Sequence, residues 1–206
     1  MPREILVVKR DVLFSDGEFQ GFLKAEERDF ISLILNNFEF REREDVEQDP
    51  KWQQPIPYVW ILNLLTKKIF AYQRASNSKY KEKRLGGKWS CGIGGHIDKD
   101  VDEIGENPLE KAMIRELKEE VSMKNYPLPK IVGYINDDSN SVGSVHFGVV
   151  ALAETVEKIK KGDGEMVRCG FYSISELEEL FSNPENEIET WTQISWPFVK
   201  NYLKNL

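Results

Sequence analysis

Three glutamates in the string Arg115-Glu116-Leu117-Lys118-Glu119-Glu120-Val121 are the residues in this chain best spaced to do chemistry together. Successive helical residues turn by about 100°, so Glu116, Glu119 and Glu120 share one face of a helix. Leu109, Ala112, Met113, Leu117 and Val121 form an overlapping or flanking apolar stripe that can pack against a sheet. Glu116 and Glu120 are like charges four residues apart, which costs a helix a few tenths of a kcal/mol. A divalent cation offsets such repulsion; Mg²⁺ takes oxygen ligands, combining a few carboxylates with waters and substrate phosphates. Taken alone, the string reads equally as a solvated helix face carrying charges of both signs. Upstream, Gly94-Gly95-His96 ends an apolar run, and a polar loop leads from there to the helix.

Glycine pair, loop and helix together resemble the Nudix box, Gly-x5-Glu-x7-Arg-Glu-U-x-Glu-Glu-x-Gly-U, where U is aliphatic. Gly95 matches the opening glycine, Arg115, Glu116, Leu117, Glu119 and Glu120 match the helix, and Met123 fills the last aliphatic position. The departures lie in the loop and at the helix ends. Ten residues separate Gly95 from Glu106 and eight separate Glu106 from Arg115, so Asn107 stands in the first glutamate's register; Ser122 replaces the final glycine. The resemblance covers about residues 57–181.

It implies an α/β/α sandwich with a mixed sheet, and hydrolysis of a diphosphate linkage in a nucleoside diphosphate derivative or a similar small molecule. It also implies Mg²⁺ or Mn²⁺ held by Glu116, Glu119, Glu120 and the Gly94 carbonyl, with Arg115 orienting a glutamate. Arg74, which ends a strand, and Gly95 become substrate contacts. In this family the general base usually comes from outside the box. Glu165 is the first candidate here, with Asp163, Glu154 and the Asp137-Asp138 pair as alternatives. Lys79, Lys81, Lys83, Arg84 and Lys88 form the one basic cluster, a rim able to attract an anion or simply a solvated loop. Two other readings compete. A Nudix-type domain can bind a nucleotide without cutting it. An isopentenyl-diphosphate isomerase would share the spacing from Trp89 to His96, but its essential cysteine would fall at Gly94, three places after Cys91.

Length and composition set the bounds. The 206 residues suffice for one good core with an added segment. A net charge of -7, from 35 acids against 28 bases, argues against a nucleic-acid polymer as partner. Two cysteines provide no disulfide framework, and no run approaches a signal core or a membrane span, so a cytoplasmic protein is expected.

The elements that must position the glutamates follow from patterning. Residues 1–55 read as an N-terminal extension: a strand with a second strand or turn over 4–14, a helix over 25–36, and an acid-rich linker over 40–50. Such an extension can pair two chains into a homodimer. Residues 56–206 read as the Nudix-type domain. Tyr58 to Leu65 and Lys68 to Arg74 form a hairpin joined by Thr66-Lys67, and Leu85 to Gly95 leads into the glycines. Asn107-Pro108 opens the glutamate helix, since a proline there forfeits only an N–H with no helical partner. Strands are expected over 130–136, 143–154 and 166–172. Ser175 with Glu178 predicts a capping box for a helix through Phe181, and Trp191 to Tyr202 has helical spacing with Pro197 inside. The strand aromatics Trp60, Phe70, Tyr72 and Trp89 are expected in the core, and His146 is expected as a hydrogen-bonded structural histidine.

Overall fold

The computed structural model describes residues 3–75, 85–102, 107–162 and 166–206. The fold is α/β, a mixed, unclosed sheet accompanied by helices, as expected from the order of apolar runs. The chain divides into two compact units, one of residues 1–58, 94–113 and 130–151 and one of residues 59–93, 114–129 and 152–206.

In the first unit, β1 (Glu4–Lys9) pairs antiparallel with β3 (Glu39–Glu42), and its last two residues pair with the start of β4 (Trp52–Asn63). β2 (Gly21–Lys24) pairs antiparallel with β9 (Lys130–Asn136), which neighbours β10 (His146–Thr155). Two short helices, α1 (Arg10–Leu13) and α3 (Arg43–Val46), and the longer α2 (Phe30–Asn37) complete the N-terminal part. α2 starts later than the periodicity predicts because Asp29 caps it, accepting from the Ser32 N–H at 3.0 Å. The acid-rich stretch predicted as irregular is β3 and α3, whose residues alternate too little for a sequence signal. Phe30 sits at the centre of the core, its ring centroid 4.9 Å from that of Phe147 and 5.0 Å from that of Tyr134. Each such aromatic pair adds about 1 kcal/mol beyond its buried area.

In the second unit the end of β4 pairs with β5 (Lys68–Arg74) and with β7 (Gly92–Ile93), and β5 pairs with β6 (Trp89–Ser90) and β12 (Met166–Tyr172). The β4–β5 turn spans residues 64–67, two more than predicted. Asn63 Oδ1 accepts from the Thr66 N–H at 3.0 Å, and Lys67 takes a left-handed φ of 51°. α6 (Ile174–Ser182) and α7 (Thr190–Lys204) follow, and α7 carries Pro197 inside it. The Trp196 ring stacks on Trp60 at 6.3 Å and meets Phe181 edge-on at 5.3 Å. Trp60, Phe70, Tyr72 and Trp89 are all buried.

The capping box of α6 lies two residues earlier than predicted. Ser173 Oγ accepts from the Glu176 N–H at 3.2 Å while Glu176 Oε2 accepts from the Ser173 N–H at 2.6 Å. That backbone hydrogen bond, with help from the Ser173 and Lys68 side chains, holds the Glu176 carboxyl down at about 2. Both Ser-x-x-Glu pairs satisfy the pattern, and the strand ending at Tyr172 decides between them. Ser173→Ala is expected to lower stability by about 1 kcal/mol and Ser175→Ala by less than about 0.5 kcal/mol in urea denaturation.

Candidate active site

α5 (Pro108–Glu120) opens on Asn107, whose Oδ1 accepts from the Glu110 N–H at 3.3 Å. The residue that stands in the register of the family's first glutamate is thus an N-cap. Leu109, Ala112, Met113 and Leu117 are fully buried, so the apolar stripe fixes which way the helix faces. That orientation leaves Glu119 exposed and Glu120 half-buried, and carries Glu116 inward until it is only 7% exposed. Arg115 Nη1 donates to Glu116 Oε1 at 2.7 Å and approaches both Glu119 oxygens at 3.4 Å. Arg115 therefore contacts both glutamates, one buried and one on the helix surface. Burial pushes the Glu116 carboxyl up to about 7 in spite of Arg115, and the charges of Glu119 and Glu120 push the same way.

Among the described residues no three His, Cys, Asp or Glu side chains are gathered closely enough to hold a metal ion. The donor set fits Mg²⁺ or Mn²⁺ in its chemistry, being hard carboxylate oxygens that repel one another. The side chains need to rotate before all three could close on an ion.

The end of α5 explains why Ser122 can replace a glycine. The chain passes directly into β8 (Val121–Ser122), which pairs with β11 (Lys160–Lys161), and Ser122 does not take a left-handed φ. Gly162, which follows β11, lies against the helix end: its N–H donates to the Glu120 carbonyl at 3.1 Å. A Cβ there would stand 2.8 Å from the Glu120 oxygen and 2.9 Å from the Glu119 oxygen. Glu165 and Asp163, together with Glu106, Lys79, Lys81, Lys83 and Arg84, lie outside the described residues. Among the alternative bases, Glu154 accepts from the Tyr202 hydroxyl at 2.7 Å and Asp138 takes a forked pair from Arg10 at 2.8 and 3.0 Å. Asp137 ties a turn through the Ser139 N–H and Asn140 Nδ2, each at 3.1 Å.

Arg74 ends β5 within a buried polar network that spacing does not reveal. Its Nε donates to Glu189, a residue 4% exposed at the start of α7, and Ser90 Oγ donates to the other Glu189 oxygen at 2.7 Å. The Tyr72 ring lies 5.3 Å from the Arg74 guanidinium, and its hydroxyl donates to the Gly92 carbonyl at 2.9 Å. Burial pushes the Tyr72 phenol far up, and the charges of Arg74, Glu189 and Glu120 all act on it. Glu189 and Ser90 are the residues sequence reasoning missed; Glu189 is the last of three alternating glutamates before the helix, and nothing sets it apart from Glu185 and Glu187.

In the first unit, Gly94 packs so tightly that an added Cβ would lie 1.6 Å from the Pro57 carbonyl oxygen. His96 Nε2 is 2.8 Å from Gln54 Oε1 and 3.3 Å from His146 Nε2, and His146 Nδ1 donates to the Val142 carbonyl at 2.6 Å. Both rings are thus hydrogen-bonded, as expected for His146. Cys91 is 1% exposed, and burial pushes its thiol well up.

A model of the NUDIX domain matches residues 54–195. The chain belongs to the Nudix family. It is 33% identical over 205 residues to Protein YmaB of Bacillus subtilis (strain 168), covering 94% of this chain and 95% of that one. The crystal structure of Tm1382, provisionally assigned as a Nudix hydrolase, has a TM-score of 0.71 at 27% identity, covering 97% of this chain and 99% of that chain. Both likenesses extend into the residues preceding position 54. The NUDIX domain of Shewanella oneidensis NrtR, solved with ADP ribose, shares the fold at TM-score 0.52 and 17% identity, covering 72% of this chain and 88% of that chain.

The Glu116 shift has a signed consequence. A carboxyl raised from 4.5 to about 7 on folding keeps its proton in the folded chain after the unfolded chain has lost it. The stability it contributes is complete below pH 4.5 and is lost as pH rises through about 7. In chelator, wild-type protein is expected to lose stability relative to Glu116→Gln across that window, on the order of 1–3 kcal/mol in urea denaturation. A difference that stays constant with pH contradicts the assignment.

Proposed function

We propose that this Nudix protein is a metal-dependent hydrolase that cleaves a diphosphate linkage in a nucleoside diphosphate derivative. The observation that carries this reading is the α5 face, where a buried carboxyl held near neutrality stands beside two further glutamates and an arginine that touches two of the three. Glu116, Glu119 and Glu120 would hold Mg²⁺ or Mn²⁺. Bound there, the ion supplies charge neutralisation for the non-bridging oxygens and makes an attacking water more acidic. Arg115 would steady Glu116 and Glu119 once they have turned toward the ion. Arg74 offers a guanidinium to the substrate phosphates, and the buried Glu189 carboxylate sets its angle. Glu165 remains the candidate that takes the proton from water. Its support is its place in the chain three residues after Gly162, which is bonded to the last turn of α5.

An acidic chain must gather positive charge locally to admit a diphosphate, and the ion together with Arg74 does so. ADP ribose, bound to the NUDIX domain of NrtR, heads the substrate panel. Protonation of an alkene by a thiol acid finds no support, because Gly94 occupies the position and Cys91 is buried. One observation favours a second reading, binding without cleavage: the described side chains do not already converge on a metal position. Calorimetric binding beside product release separates the two, since saturable binding with no product over hours favours the sensor.

A panel of nucleoside diphosphate derivatives with Mg²⁺ or Mn²⁺, scored for phosphate products, tests the hydrolase. Glu119→Gln is expected to keep its melting temperature and lose about a thousandfold or more in kcat; undiminished turnover rules the assignment out. Glu165→Gln is expected to lose about a hundredfold or more and to flatten the acidic limb of the pH profile, because a base works only when deprotonated.

A further inference from the structure

We infer that the N-terminal strand β1 is a brace for the glycine loop, with Arg3 and Asp98 as the positioning residues that lock it. This rests on the reading that Gly95 meets the substrate.

The geometry lies in how β1 divides its edges. Glu4 to Val7 pair with Glu42 to Glu39 of β3 on one side. On the other side Val8 and Lys9 pair with Gln53 and Trp52 of β4, but Ile5 bridges antiparallel to Asp98 and the Leu6 N–H donates to the Ile97 carbonyl at 2.9 Å. The chain just past the glycines therefore lies on the same edge as β4, and its Ile97 carbonyl is bonded to β1. Ile5, Leu6 and Ile97 are at most 1% exposed, so these bonds are shielded from water.

Side chains close the junction. Arg3 grips Asp98 with a two-pronged pair, Nε to Oδ1 at 2.5 Å and Nη2 to Oδ2 at 2.7 Å, and Lys99 Nζ meets Glu4 Oε2 at 2.8 Å. Forked arginine–carboxylate pairs fix direction as well as distance. Behind them the Asp98 N–H donates to Asp102 Oδ2 at 2.9 Å, and Asp102 is 1% exposed. At its other end the loop is set by Gly94 against Pro57, and in the middle by His96 against Gln54 and His146. Pairing with Arg3 also neutralises a carboxylate three residues from Gly95, where a diphosphate would otherwise meet like charge. The first 53 residues lie outside the NUDIX match, and on this inference they complete the loop that follows the glycines.

The test uses the full chain carrying Arg3→Ala, Arg3→Lys or Asp98→Asn; Arg3 is 42% exposed, so its removal spares the core. Hydrogen exchange read by mass spectrometry should show the Leu6 amide and the 97–102 segment of Arg3→Ala exchanging about tenfold faster, with Arg3→Lys intermediate. With ADP ribose and Mg²⁺, KM should rise about fivefold to tenfold while kcat stays within twofold. Arg3→Ala and Asp98→Asn combined should do no more than either alone. Unchanged exchange overturns the brace, and faster exchange with unchanged KM overturns its role in substrate binding. If wild-type protein neither binds nor cleaves ADP ribose, the functional reading fails and takes the KM claim with it, while the exchange result still decides whether the brace exists.

Discussion

A carboxylate taken out of water is the constraint around which the second unit is arranged. Glu116 is dragged inward because α5 must bury Leu117 on a neighbouring angle, and a buried leucine side chain contributes about 2 kcal/mol. That gain offsets part of the cost of desolvating an acid, and Arg115 offsets more through its 2.7 Å contact. What remains uncompensated appears as a carboxyl that gives up its proton only near pH 7. A cation held beside Glu116, as proposed, would offset that cost.

Two glycines set the path of the chain on either side of this helix, each by letting backbone meet backbone. Gly94 lies against the Pro57 carbonyl, and Gly162 against the carbonyls that end α5. Neither position tolerates a Cβ at the distances found. The first holds the glycine loop to β4 within its own unit; the second holds the chain leaving β11 against the backbone of Glu119 and Glu120. Arg74 is fixed by a third device, the buried Glu189 carboxylate, which shares its oxygens between the guanidinium and Ser90.

The glutamate helix was legible because its signals are local: a proline at its first position, apolar residues at helical spacing, and three acids on one face. β5 and β12 were legible for the same reason, as short apolar runs bounded by turn residues. The α6 cap was misread by two residues because Ser173 and Ser175 are each followed three residues on by glutamate, and only the end of β12 chooses between them. β3 was missed because a four-residue, charge-rich strand owes its form to pairing with β1, a long-range contact that leaves no period, and α3, a single turn directly after it, is too short to show one. The partnership of Arg74 with Glu189 spans 115 residues and has no sequence signature. Family membership came from the helix and the glycine pair, whereas the roles of individual side chains depend on contacts that only folding brings together.

The central claim is that the α5 carboxylates exist to take a divalent ion, Glu116 surrendering its proton as they do so. Titrating the protein with Mg²⁺ by calorimetry at pH 6.5, in two buffers of different ionisation enthalpy, measures that event directly. The account predicts saturable binding with release of most of one proton, about three-quarters for a group titrating near 7, and none released from Glu116→Gln. Absence of binding, or binding with no proton released by the wild type, would contradict it.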